Sequence, residues 1–167
     1  GNSAIEDLIG FASSGNAEEV QIYLDAAGTV RFIDNGATTV QSIASTQTYD
    51  DNVWHKVDGF RVSSTERYLY IDGVLIASGT TDVGSITATV ILGIGVDADG
   101  SSVPATTSTL ALAKISATAP TATQIRQMYD AEKGMFVASA ECLLQSGSTD
   151  AVLDVNVDPL TNKVLVT

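Results

Sequence analysis

Apolar and polar residues alternate along most of the chain in short runs, separated about every ten residues by clusters of Gly, Asn, Asp and Ser, the spacing of a β-sandwich or barrel. In Glu19-Val20-Gln21-Ile22-Tyr23-Leu24-Asp25 the residues Val20, Ile22 and Leu24 fall on one side. The turn Ala26-Ala27-Gly28 then leads into Thr29-Val30-Arg31-Phe32-Ile33, so a hairpin with one buried face is predicted. A second hairpin pairs Arg67-Tyr68-Leu69-Tyr70-Ile71 with Val74-Leu75-Ile76-Ala77 across Asp72-Gly73, a dipeptide suited to a type I′ turn because both residues tolerate positive φ. Further strands are predicted at 4–11, 38–43, 54–62, 86–94 and 108–116, all rich in Val, Ile, Thr or aromatic residues. Together these describe an all-β chain of two antiparallel sheets.

One helix interrupts the pattern. In Pro120-Thr121-Ala122-Thr123-Gln124-Ile125-Arg126-Gln127-Met128-Tyr129 the pair Thr121 and Gln124 has capping-box spacing, and Ile125, Met128 and Tyr129 form one apolar stripe. Gly134 is the predicted stop. Beyond Phe136 the pattern returns to strands at 141–145, 151–157 and 163–166, with turns at Ser146-Gly147 and Asp158-Pro159. The expected organisation is a domain over 4–136 and a β-rich extension over 137–167, with the natural chain continuing past its last strand. So few strands cannot bury both faces by themselves, so the extension is expected to pack on the domain, on copies of itself or on further chain.

Length and charge narrow the function. The 167 residues suit one domain with a sizeable core plus an appendage. Twenty acidic residues stand against eight Lys and Arg, a net charge of -12, which repels nucleic-acid phosphates and anionic membrane surfaces. Cys142 is the single cysteine, so no intrachain disulfide forms. The apolar run at 90–96 is broken by Gly93 and Gly95 and is far shorter than the roughly 20 residues of a membrane-spanning helix, so no membrane insertion is expected. Gly1-Asn2-Ser3 opens no signal-peptide pattern.

Two motifs in order carry a family resemblance. Asp51-Asn52-Val53-Trp54-His55-Lys56-Val57, followed by Leu69-Tyr70-Ile71-Asp72-Gly73-Val74-Leu75, resembles the laminin G-like, concanavalin A-like jelly roll, whose members carry a D-x-x-W-H-x-V strand and then L-Y-(V/I)-D-G-x-L. Leu92-Gly93-Ile94-Gly95 is similar to the family's L-x-I-G strand, and 110–129 to its closing strand and helix. The resemblance covers about residues 10–136 and implies an antiparallel two-sheet jelly-roll sandwich with one short helix. The closing strand departs from the family's acidic D-E-V-R-I pattern, having Leu112-Ala113-Lys114-Ile115-Ser116. The stretch from Ala131 through Ser148 is similar to segments that follow this jelly roll in tailed-phage structural and tail-fibre proteins.

Candidate chemistry is sparse. Trp54, at its motif position and near Val57, is read as core rather than as a sugar platform. His55 is the single histidine, which leaves a zinc site or a Ser-His-Asp triad without enough imidazoles, and it is placed on the opposite strand face. Tyr68 and Tyr70 share a face opposite Leu69 and Ile71, so burial of the aliphatic pair would leave an outward tyrosine platform for a glycan ring or a neighbouring subunit; the alternative is that they cover the sheet or lie under the helix. Asp97 and Asp99, beside Gly100, form a fragment of a calcium loop without its distal glutamate. Glu18, Glu19, Asp50 and Asp51 read as solvated charges. The paired carboxylates of a concanavalin A-like glucanase have no counterpart string here.

The resulting expectation is a non-enzymatic adhesive or display domain of a phage tail fibre or virion protein, located on the virion or outside the cell. It needs no cofactor, calcium at Asp97 and Asp99 being the candidate ion. Its expected partners are a cell-surface glycan or protein receptor and copies of itself, a trimer being favoured because fibre proteins resembling it are usually trimers. The alternatives are a secreted bacterial glycan-binding module and a degenerate glycoside hydrolase.

Overall fold

The structure, a computed structural model, describes residues 5–13, 17–87, 91–98, 108–137, 155–158 and 163–166. In chain order the first eight strands are β1 (Glu6–Ala12), β2 (Glu19–Leu24), β3 (Thr29–Asn35), β4 (Val40–Thr48), β5 (Val57–Ser63), β6 (Glu66–Ile71), β7 (Val74–Gly79) and β8 (Ile91–Ile94). They make a five-stranded sheet, β4-β3-β2-β1-β8, and a three-stranded sheet, β5-β6-β7, with every pairing antiparallel. This is the two-sheet sandwich expected.

Alternation built its core. Ile22 lies opposite Phe32, and Leu24 opposite Val30, in the β2–β3 ladder, and all four turn to the same side. Leu69 and Ile71 of β6 meet them from the other sheet. Burying such side chains contributes about 1.5–3 kcal/mol each. β5 crosses the same core with a glycine: a Cβ on Gly59 would lie 2.9 Å from Phe32 and 3.0 Å from Ile22. At the β6–β7 turn Asp72 and Gly73 take φ of 52° and 74°, as a type I′ turn requires.

The alternation that buries Leu69 and Ile71 also buries Arg67, which is paired. Arg67 and Asp34 are both 0% exposed; Arg67 Nε donates to Asp34 Oδ2 at 3.0 Å, and Arg61 Nε to Asp34 Oδ1 at 2.9 Å. Arg67 Nη2 donates to the carbonyls of Ser64 and Thr81, which ties down the chain leaving β7.

Several boundaries differ from the sequence expectation. The predicted strand at 108–116 is an exposed, extended stretch outside both sheets; Leu112 adopts φ 51°, a left-handed kink that interrupts pairing. Among the described residues, the outer edge of β5 therefore carries no strand. A cleft of about 1880 Å³ opens there between the sheets, reaching Leu8, Ile22, Phe32 and Phe60 and bordered by the stretch itself. β5 begins at Val57, so Trp54 and His55 lie in the loop before it. The helix α1 (Ala122–Glu132) carries the predicted capping box, the Thr121 hydroxyl accepting from the Gln124 amide. It then tightens into a 3₁₀ turn, Lys133–Phe136, that contains Gly134, rather than stopping at a left-handed glycine. In the extension, β9 (Val155–Asp158) and β10 (Lys163–Val166) pair antiparallel, while the strand predicted at 141–145 lies outside the described residues.

Candidate functional site

Loop 49–56, the β6–β7 turn and the end of α1 come together at one end of the sandwich, and a histidine joins the first two. His55 Nδ1 lies 2.7 Å from Asp72 Oδ2, and Nε2 lies 3.2 and 3.3 Å from the two oxygens of Asp51. Ionised carboxylates only accept, so both contacts are satisfied when both ring nitrogens carry protons, the imidazolium form. Burial alone would lower the His55 pKa from 6.5, but the hydrogen bonds and charges of Asp72 and Asp51 outweigh it and raise the pKa. Asp72 also accepts from the Lys56 amide at 3.0 Å, and its own amide donates to the Lys56 carbonyl. Tyr49 meets the His55 ring edge-on, with centroids 4.8 Å apart. The two recognised motifs thus touch through His55 and Asp72. The histidine is a clamp between two acidic residues, not a passenger on a strand face; the signal available in the sequence was an Asp four residues before it and an Asp in the turn.

Beside the clamp the loop presents apolar surface. Asp51 Oδ1 accepts from the Val53 amide and closes a tight turn, in which Asn52 takes φ 62°. Trp54 is 44% exposed, which corrects its assignment to the core: it precedes β5, so strand alternation does not govern it. Its ring meets Phe136 at 4.8 Å between centroids, tilted by 41°. Val53, Met135 and Val137 are exposed around this pair, and the group walls a concavity of about 390 Å³ with Asn52 at its margin.

The two tyrosines do share the outer face of the three-stranded sheet, opposite the buried Leu69 and Ile71. However, Tyr70 is only 9% exposed, its ring 6.0 Å from Phe60 and 6.5 Å from Tyr68. What reaches solvent on this face is Tyr68, whose hydroxyl donates to Glu66 at 2.5 Å. Asp97 is half-buried at the end of the β8 loop; Asp99 lies outside the described residues. No group of three or more His, Cys, Asp or Glu that could hold a metal ion occurs among the described residues.

Glu18 and Glu19 are buried rather than solvated. Glu18 accepts from the amide and hydroxyl of Thr87, anchoring the chain before β8; Asp7 accepts from Gln21, and Glu6 from Ser108. Asp25 accepts from the Ala27 and Thr29 amides, the Thr29 hydroxyl and Arg31. Burial would raise its pKa, yet those donors hold its carboxyl far below the usual carboxylate range. These acids work as fasteners between strands and loops.

The family profile described as the concanavalin A-like lectin/glucanases superfamily matches residues 2–126. Among solved structures, a heptameric SAP-like pentraxin from Limulus polyphemus aligns at 13% identity over 60% of this chain and 51% of its own, with a TM-score of 0.43. An S-layer domain-containing protein from Clostridium thermocellum aligns at 16% identity over 77% and 64%, with a TM-score of 0.35. This chain therefore spans less than two thirds of either. A search of curated proteins finds no match.

Proposed function

We propose, from the premise that the chain belongs to the concanavalin A-like lectin/glucanases superfamily, that it is a binding domain without catalytic activity, serving as an adhesive or display module of a phage tail fibre or related virion protein. The observation that carries the binding reading is an exposed apolar group at one end of the sandwich: Val53 and Trp54 on the loop that His55 pins, with Met135 in the 3₁₀ turn beside it and Val137 just after that turn, none of them buried. The acids already engaged in fastening strands favour binding over hydrolysis, which would need two opposed carboxylates about 5–9.5 Å apart and free for the bond. The virion setting rests on the similarity of 131–148 to segments following this jelly roll in phage proteins. In this reading 137–167 joins copies of the chain, three by preference, and the ligand is a cell-surface glycan or protein receptor.

A glycan array run with and without millimolar calcium tests the binding reading, with the calcium arm reporting on Asp97 and Asp99. Saturable capture of a glycan class is expected, with no reducing sugar released from the same glycans; steady release would replace binding by hydrolysis. Light scattering of the full chain and of a version ending at Phe136 tests assembly: an oligomer that the truncation reduces to a monomer is expected.

A further inference from the structure

We propose that the concavity between the 51–54 turn and the 3₁₀ turn Lys133–Phe136 is a carbohydrate subsite that takes one neutral sugar ring against Trp54. The inference rests on the binding reading above and names the surface and the ligand class. The concavity's volume, about 390 Å³, lies at the small end of the ~300–1,000 Å³ range of small-molecule sites and suits one or two rings.

The lining sets the chemistry. A sugar ring has apolar C–H faces and a rim of hydroxyls. Trp54 offers a flat apolar face and an indole N–H, and Phe136 braces it from one side so that its orientation is fixed before a ligand arrives. Val53, Met135 and Val137 keep the rest of the wall apolar. Asn52, exposed at the margin, supplies two N–H donors and a carbonyl acceptor, and its side chain has no protein partner among the described residues. No cationic side chain lines the concavity, the neighbouring Lys56 and Lys133 being paired with Asp58 and Asp130, and Asp50 and Asp51 adjoin it in sequence, so a phosphate or uronate is disfavoured and an uncharged ring selected. The His55 clamp holds the turn in place: with Asp51 fixed from one side by His55 and closing the turn onto Val53 from the other, Asn52 and Trp54 keep their spacing.

Calorimetric titration of the full chain tests this with cellotriose and chitotriose as neutral probes and trigalacturonate as an acidic one. Because Trp54 is the single tryptophan, a change in emission reports directly on the subsite. Expected are saturable heat and an emission change with a neutral probe and neither with trigalacturonate. Asn52→Ala, Trp54→Ala and Met135→Glu should each weaken binding at least tenfold, with Tyr68→Ala unchanged. If Trp54→Ala fails to fold, as melting would show, the Met135→Glu and Asn52→Ala arms decide. Binding that survives these variants, or that is lost in Tyr68→Ala alone, overturns the subsite and leaves the binding function standing. Silence with both neutral probes overturns the subsite, and a blank glycan array besides would take the binding reading with it.

Discussion

Where β2, β3 and β6 meet, the sandwich is closed, up to the cleft that enters along the β5 edge and reaches Ile22 and Phe32. β2, β3 and β6 turn their apolar alternates inward, β5 thins to a glycine to pass over them, and the buried Asp34 carboxylate is shared by the wholly buried Arg67 and the half-buried Arg61. Around Trp54 it is open: the same kinds of side chain face solvent, and the chain is held by polar pins, His55 to Asp51 and Asp72, and Asp51 to the Val53 amide. The closed region is stabilised by area removed from water and tolerates little change of volume or charge. The open region is fixed by a few directed bonds, which leaves its apolar groups available to a partner. The proposed binding surface is thus one whose position is held without burial.

The largest effect should come from unbalancing the closed region. Asp34→Ala leaves two guanidinium groups facing each other without their shared carboxylate, one of them wholly buried, and is expected to cost about 3–5 kcal/mol in urea unfolding. A triple change of Asp34, Arg61 and Arg67 to apolar residues of similar volume should recover most of that loss; if it does not, the cluster does more than balance charge. Next comes volume: Gly59→Val drives a branched side chain into Phe32 and Ile22 and should cost about 1–3 kcal/mol by the same measurement. A neutral outcome would mean that β5 is free to lift off the core, as the cleft along its unpaired edge allows.

Trp54→Ala sharpens the comparison from the other side. A buried aromatic would cost about 3–5 kcal/mol, but with 44% of Trp54 already in water the expected loss is about 1–2 kcal/mol. A loss of the larger size would place Trp54 in the closed region and remove the surface on which binding is argued.

The apolar alternation of the closed region was legible in the sequence, whereas its buried Asp34–Arg67 pair, the Gly59 crossing and the open region were not, for a physical reason. Period-two alternation and the Asp72-Gly73 turn identify Ile22, Phe32, Leu69 and Ile71 because in a strand the side chain's direction follows from its number. Trp54 and His55 sit three and two residues before β5, where that rule no longer holds and direction depends on which carboxylates the loop meets. Stretch 108–116 misled in the opposite way: its β-favouring residues are real, yet a strand also needs an edge in register, and a left-handed Leu112 denies it one. The tyrosine pair shows the limit of facing alone, since Tyr70 shares the outward side with Tyr68 but is covered by Phe60 and its neighbours.

The smallest effect expected is a dependence on pH confined to the open region. His55 has a folded pKa raised above 6.5, the net result of burial opposed and exceeded by Asp72 and Asp51. A group whose pKa is raised by folding contributes stability that is fully present below its unfolded value and is lost as the pH climbs through its folded value. Melting temperature should therefore fall modestly as the pH rises from about 6 towards 9, a window in which the carboxylates of Asp51 and Asp25, both with lowered pKa, stay ionised and contribute no change. His55→Gln and Asp72→Asn should each flatten that slope, while Asp34→Ala, for all its larger cost, should leave the slope as it was. Trp54 emission gives the local readout: loosening of the clamp should shift it to longer wavelength over the same pH interval as the melting changes. A shift that persists in His55→Gln would assign the titration to another group, and a slope that vanishes in Asp34→Ala would mean that the two regions unfold as one network and that the division between them is not energetic.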